Sequence, residues 1–242
     1  MRNIYSKVNR ANRHIEELHR SIRRFIDTSP YKIGRKLDPR TGEAVYYLTE
    51  APAVPDEMAL IAGDVLQNLR STLDHLAWAL VETNGGKPTP GVTGFPIMER
   101  EPLTTKEKAS FDRKIEGMGQ EAKDVIRRLR PYKGGDDDLW LLHRLNNIDK
   151  HRTIFTVGFA VRSIATPYQR IAASPTFRTG PLENGGELFR ENSQISNKVD
   201  FMFDVAINEP ELIACEPLIF RLRMSYNKVF RLIGEFDLCW RL

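Results

Sequence analysis

Two segments of the chain place ionisable and amide side chains inside strongly apolar helical patterns, GDVLQNLRSTLDHLAW and LWLLHRLNNIDKHR. In the first, Leu66, Leu69 and Leu73 set the core direction. Arg70 and Asp74 lie four residues apart on one flank, close enough for an ion pair within the helix. Asn68 and His75, seven residues apart, line up on the other side with Asp64 and Ser71. In the second, Leu141, Leu145 and Ile148 face the core, with Asp149 and Arg152 near the same line. Arg144 and His151 project from the opposite flank, nearly in register two turns apart. An Arg or Asp near a core-facing line is costly unless paired. Two readings follow. Arg70, Asp74, Asp149 and Arg152 form a partly buried network that pins two helices together, or the helices face each other across a polar cleft that recognises an anion. Arg suits phosphate because its guanidinium offers paired donors, and His suits proton transfer because it titrates near neutrality.

A third group of residues bears on the same choice. Residues 1–40 hold eleven Lys and Arg against four Asp and Glu, so this stretch is +7 within a chain whose net charge is +4. From Asn3 to Asp27 the apolar residues Ile4, Val8, Ala11, Ile15, Leu18, Ile22 and Phe25 share one arc, while Arg10, Arg13, Arg20 and Arg24 share another. This is an amphipathic helix with a basic stripe. The stripe is either a solvated face or a surface for an anionic partner such as RNA.

The elements that position these residues are legible from period and punctuation. Strand-like runs flank Asp38-Pro39-Arg40-Thr41-Gly42, giving a hairpin over residues 31–49. Asp56 caps a long helix through Val81 whose core face is Ala62, Val65, Leu66, Leu69, Leu73, Leu76, Ala77 and Leu80. A loop from Asn84 to Gly94 ends in a short extended GFPI. Helices follow at Thr104–Glu116 and Gln120–Leu129, and a third begins at Asp136–Asp138 and runs to about Arg152. TIFTVGFAV, YQRIAAS and KVDFMFDVAI then read as an antiparallel sheet, and Pro217–Phe236 as a C-terminal helix. The fold class is α+β: a helical bundle with an N-terminal β-hairpin and a C-terminal antiparallel sheet capped by a helix. The economical organisation is one domain over 1–242, mainly helical to residue 152 and sheet plus helix from 153.

Composition removes several classes. Two cysteines, Cys215 and Cys239, are too few for a disulfide framework, and no CxxC is present. No apolar run reaches the roughly 20 residues of a membrane span, and the N-terminus lacks the apolar segment of a secretion signal. These features point to a cytoplasmic chain with free thiols and no membrane partner. The signatures of P-loop, Rossmann, α/β-hydrolase and zincin enzymes are absent. His143, Asn147 and His151 step by four along one helix, with His75 as a conceivable fourth ligand, but this is not a usual metal spacing, and no cofactor is expected. Trp78, Trp140 and Trp240 read as core or interface anchors, and His14 and His19 as surface or satisfied residues.

Gly63-Asp64, Asn68 to Leu76, Phe95-Pro96-Ile97, Pro131-Tyr132 and Asn147 to Arg152 together resemble a bacterial family marked by NLRSxLDHL and NxDKHR helices, a likeness that brings no activity with it. A looser resemblance is to the HEPN superfamily, helical domains whose ribonuclease members carry R-x4-6-H. Arg70 to His75 matches with four intervening residues and Arg144 to His151 with six. That resemblance implies a homodimeric, metal-independent ribonuclease in which His75 and His151 act as general acid/base for attack by the RNA 2′-hydroxyl. Arg70 and Arg144 would stabilise the phosphorane. Around them Asn68, Asp74, Asn147, Asp149, Lys150 and Arg152, with the four arginines of the stripe, are the candidate binding residues. Ser71 departs from the frequent Asn or Asp after the Arg, and the hairpin and sheet lie outside a minimal HEPN domain. The competing expectation is a non-enzymatic scaffold or anion- or nucleic-acid-binding protein whose polar helix residues form a structural network.

Overall fold

Apolar residues at helical spacing run the length of the first element, α1 (Arg2–Asp27), and Ile4, Val8, Ala11, Ile15, Leu18 and Ile22 are all buried. The computed structural model describes residues 2–165, 170–171, 181–192 and 199–237. After α1 come β1 (Lys32–Leu37), β2 (Glu43–Glu50), α2 (Asp56–Thr83), α3 (Thr105–Lys114), α4 (Gln120–Leu129) and α5 (Asp137–His151). The remainder is β3 (Thr156–Ala165), β4 (Arg170–Ile171), β5 (Glu187–Asn192), β6 (Val199–Glu209), β7 (Ile213–Pro217) and α6 (Leu218–Asp237). The α+β class is as the sequence indicates.

The described chain forms two compact units. One comprises the chain up to Glu17, Leu60–Thr153 and the chain from Arg221 onward; the other comprises Leu18–Ala59 and Ile154–Phe220.

The first unit is helical. All eight residues of the expected α2 core face are buried. Helix starts are fixed by local chemistry. Thr104 and Glu107 make a reciprocal capping box at α3, in which Glu107 accepts from the Thr104 N–H at 3.0 Å. At α5, the Asp136 carboxylate accepts from the Leu139 N–H at 3.1 Å and also pairs with Lys228 of α6. Asp138 receives Arg221 at 2.9 Å, and Glu16 of α1 receives Arg223 at 2.8 Å, so charged pairs tie α6 to both neighbours. The α4 helix stops where Arg130 turns left-handed at φ 50°, and Pro131 follows. The Tyr132 hydroxyl then accepts from Arg130 Nε at 2.8 Å, and Met98 forms a bridge to Tyr132.

The second unit holds two antiparallel sheets, ordered β1-β2-β5 and β4-β3-β6-β7. The hairpin turns at Asp38–Gly42 as the Pro and Gly require, with Gly42 at φ 73° and its N–H on the Asp38 carbonyl. It does not stand alone: β2 is a central strand, paired on its other edge with β5 from Ala44↔Glu191 to Tyr47↔Glu187. The β3–β6 ladder runs from Thr156↔Ile207 to Ile164↔Val199. Gly158 in β3 makes room for the buried Tyr31 hydroxyl, which a Cβ at that position would strike. Burial pushes that phenol up to about 12. Of the expected YQRIAAS strand, Arg170–Ile171 is β4 and the rest lies outside the described residues, as do Cys239 and Trp240. Cys215 is a free, half-buried thiol.

Candidate functional site

The helical unit separates the candidate residues into a buried network and an open groove.

The network centres on Arg70, which is 8% exposed. Its guanidinium reaches three partners. Nη1 pairs with Asp74 at 2.7 Å, Nη2 donates to the Phe95 carbonyl at 3.1 Å, and Nε donates to Nδ1 of His143 at 3.3 Å. Asp74 in turn accepts from the Phe95 N–H at 3.1 Å. One ion pair on α2 thus satisfies both backbone groups of Phe95. This fixes the FPI segment without making it a strand, and its fully buried ring sits edge-on to Phe236 at 6.5 Å. Nδ1 of His143 faces the Arg70 donor, and its Nε2 lies 3.1 Å from Nδ2 of Asn147. Burial, and then the adjacent Arg70 charge, push His143 down to about 4. A ring so held stays neutral and serves as an acceptor that closes the Arg70 shell.

Asp149 does not join Arg70. It lies against Gly63 of α2, where any Cβ would overlap its carboxylate. Its pKa is raised by burial first and by the charge of Asp64 second. The glycine lets the α5 carboxylate approach the α2 backbone. Arg152 is exposed and donates to the Thr153 carbonyl at 3.2 Å. Arg144 pairs with Glu99 at 3.0 Å, while Lys150 and His151 are exposed.

The groove lies between α1 and the opposite flank of α2, with a volume of about 580 Å³. Lys7, Arg10, Arg13 and His14 line it from α1, and Asp64, Asn68 and His75 from α2. Arg10 Nε donates to Nε2 of His14 at 2.8 Å, and Nδ1 of that ring meets Glu17 at 3.2 Å, so the buried His14 braces the arginine. Asn68 donates to the Asp64 carbonyl at 2.7 Å. His75 is exposed. Three cations against one carboxylate leave the groove positive, with an imidazole and an amide on its far wall. Arg20 and Arg24 are exposed and belong to the other unit.

The matched Arg/His spacings therefore do not correspond to contacts. Among the described residues, no hydrogen bond or ion pair joins Arg70 to His75 or Arg144 to His151. Five residues along a helix turn the side chain by about 140°, which sends Arg70 inward and His75 into the groove. His143 and Lys7 complete the two sites. Lys7 stands at the edge of the apolar arc of α1, outside the arginine stripe, so its spacing does not single it out.

Trp78 donates its indole N–H to the Thr93 carbonyl at 3.2 Å, and Trp140 is buried, which places both as anchors. Among the described residues no group of three or more His, Cys, Asp or Glu is placed to hold a metal ion, and no helix is long and apolar enough to cross a membrane. This α+β chain, with a helical unit and a two-sheet unit, matches no protein-family model, no curated protein and no solved structure.

Proposed function

We propose that the chain is a cytoplasmic RNA-binding protein. It holds phosphates of a single strand in the α1–α2 groove, and the Arg70 network serves as the scaffold that keeps α2 in place. The observation that carries this reading is the convergence of Lys7, Arg10 and Arg13 with Asn68 and His75 on one open depression. Phosphate attraction needs exposed, loosely committed cations, and these qualify where Arg70 does not. Arg70 is committed by an ion pair to Asp74 and by hydrogen bonds to the Phe95 carbonyl and His143. A charge so enclosed is a structural one.

Fluorescence anisotropy of a short mixed-sequence RNA tests the proposal. Binding at low salt that weakens linearly on logarithmic axes as salt rises is the expected result. Absence of binding at low salt contradicts it.

One observation favours a second reading. His75 is an exposed imidazole set among cations, the arrangement that a general acid/base for RNA cleavage requires. In this reading the HEPN likeness extends to a ribonuclease, with Arg10 or Arg13 in place of Arg70 as the phosphate partner. The same RNA then shortens on incubation. His75→Ala lowers the rate by about 10²–10⁴-fold while binding persists, and a chelator has no effect. Intact RNA after prolonged incubation with wild-type protein leaves binding alone as the function.

A further inference from the structure

The sheet-bearing unit contains a cavity of about 490 Å³, bounded by the C-terminal part of α1 and by β6, β7 and the first residues of α6. That volume lies within the range typical of small-molecule sites. His19, Ile22, Arg23, Ile26 and the exposed Asp27 contribute from one face of α1, with Asp204 and Phe220 opposite. The apolar part is substantial, since Phe220 is 55% exposed at the cavity and Ile26 is half-buried beside it.

The polar part is unusual in holding both signs of charge without mutual neutralisation. Asp204 is half-buried, and among the described residues its one hydrogen bond comes from the adjacent Val205 N–H at 2.8 Å. Burial raises its pKa, partly offset by that hydrogen bond and by His19. Arg23 uses only Nε, donating to Nε2 of His19 at 3.3 Å, so among the described residues its two terminal nitrogens have no partner. Among the described residues no ion pair joins Arg23 to Asp204.

We propose that this cavity binds a free apolar α-amino acid. The ligand carboxylate takes the terminal nitrogens of Arg23, its ammonium takes Asp204, and its side chain covers Ile26 and Phe220. Chemistry excludes the simpler ligands. An apolar molecule would strand the Asp204 carboxylate away from water, a costly state. A lone cation would leave the terminal nitrogens of Arg23 without a partner, and a lone anion would face both Asp204 and Asp27. A zwitterion with an apolar body satisfies all three features at once, and paired guanidinium–carboxylate contacts supply its orientation.

A heteronuclear NMR titration of the intact chain at neutral pH with L-leucine, isocaproate and isoamylamine tests the assignment. The last two probes each lack one of leucine's charges. Saturable shifts at the Phe203–Val205 amides and the Arg23 side chain with leucine, with either fragment weaker by about tenfold or more, are the expected result. Arg23→Gln, an exposed substitution whose spectrum reports that the fold is intact, should weaken leucine by a similar factor. Asp204→Asn should do the same where it remains folded. Absence of saturable leucine shifts at millimolar concentrations overturns the proposal. So does isoamylamine binding as tightly as leucine, or an Arg23→Gln variant that binds leucine unchanged.

Discussion

The behaviour of His143 follows from what surrounds one ring. It is half-buried beside a guanidinium, accepts from it, and is held down to about 4 against an ordinary 6.5. Between those values the unfolded chain binds a proton that the folded chain refuses. The stability His143 contributes is therefore complete above about 6.5 and is lost as pH falls toward about 4. The loss across that window is on the order of 3 kcal/mol. Chemical denaturation at several pH values, for wild type and for His143→Gln, isolates this from the titration of carboxylates. The wild-type curve should fall more steeply below pH 6.5, and the difference should flatten above it. Parallel curves would mean that His143 protonates freely in the folded chain. His75 shows the reverse situation. Only five positions from Arg70 in sequence, it is solvent-exposed among Lys7, Arg10 and Arg13, and its chemistry belongs to whatever enters the groove.

At the scale of elements, the close approach of α2 and α5 depends on Gly63. Glycine in a helix interior normally costs about 0.5–1 kcal/mol relative to alanine, so Gly63→Ala would ordinarily stabilise. Here the added methyl overlaps the Asp149 carboxylate. The variant should lose about 1–3 kcal/mol instead, a typical cost of overpacking. Adding Asp149→Ala removes the obstacle, and the double variant should recover most of the loss in thermal melts. A double variant no better than Gly63→Ala alone would show that the clash lies elsewhere.

The elements also show what local sequence carries and what it does not. Capping residues and apolar period locate α1 through α6 within a few residues, because Thr104, Asp136, Pro131 and the core-facing leucines act within a turn of themselves. The strand β5 escapes that reading. ELFREN has no clean alternation, and Arg190 spends its side chain on Asp38 and Glu187, at 2.7 Å each, rather than on a core. Its partner β2 lies more than a hundred residues away. A separation of 73 residues likewise hides His143 from Arg70. A helical wheel supplies the Arg70–Asp74 pair and the inward direction, but not the ring that α5 brings to it. Spacing alone offered His75 as the partner, and helix geometry separates the two.

For the molecule as a whole, the basic stripe of α1 divides between the two units. Arg10 and Arg13 join Lys7 at the groove, whereas Arg20 and Arg24 lie beyond Glu17 in the sheet-bearing unit. A general attraction of a basic helix for polyanions would draw on all of these charges alike. Binding in the groove would draw on the first three. The salt dependence of RNA affinity tells them apart, because each phosphate contact to a single strand releases about 0.7 counterions. Two variants of the intact chain are compared with wild type by anisotropy over a range of salt. One carries Lys7→Ala, Arg10→Ala and Arg13→Ala, and the other carries Arg20→Ala and Arg24→Ala. The groove predicts that the first flattens the logarithmic slope by about 2 and weakens binding strongly at low salt, while the second leaves both nearly unchanged. Equal losses per charge removed in the two variants would contradict a phosphate site between α1 and α2.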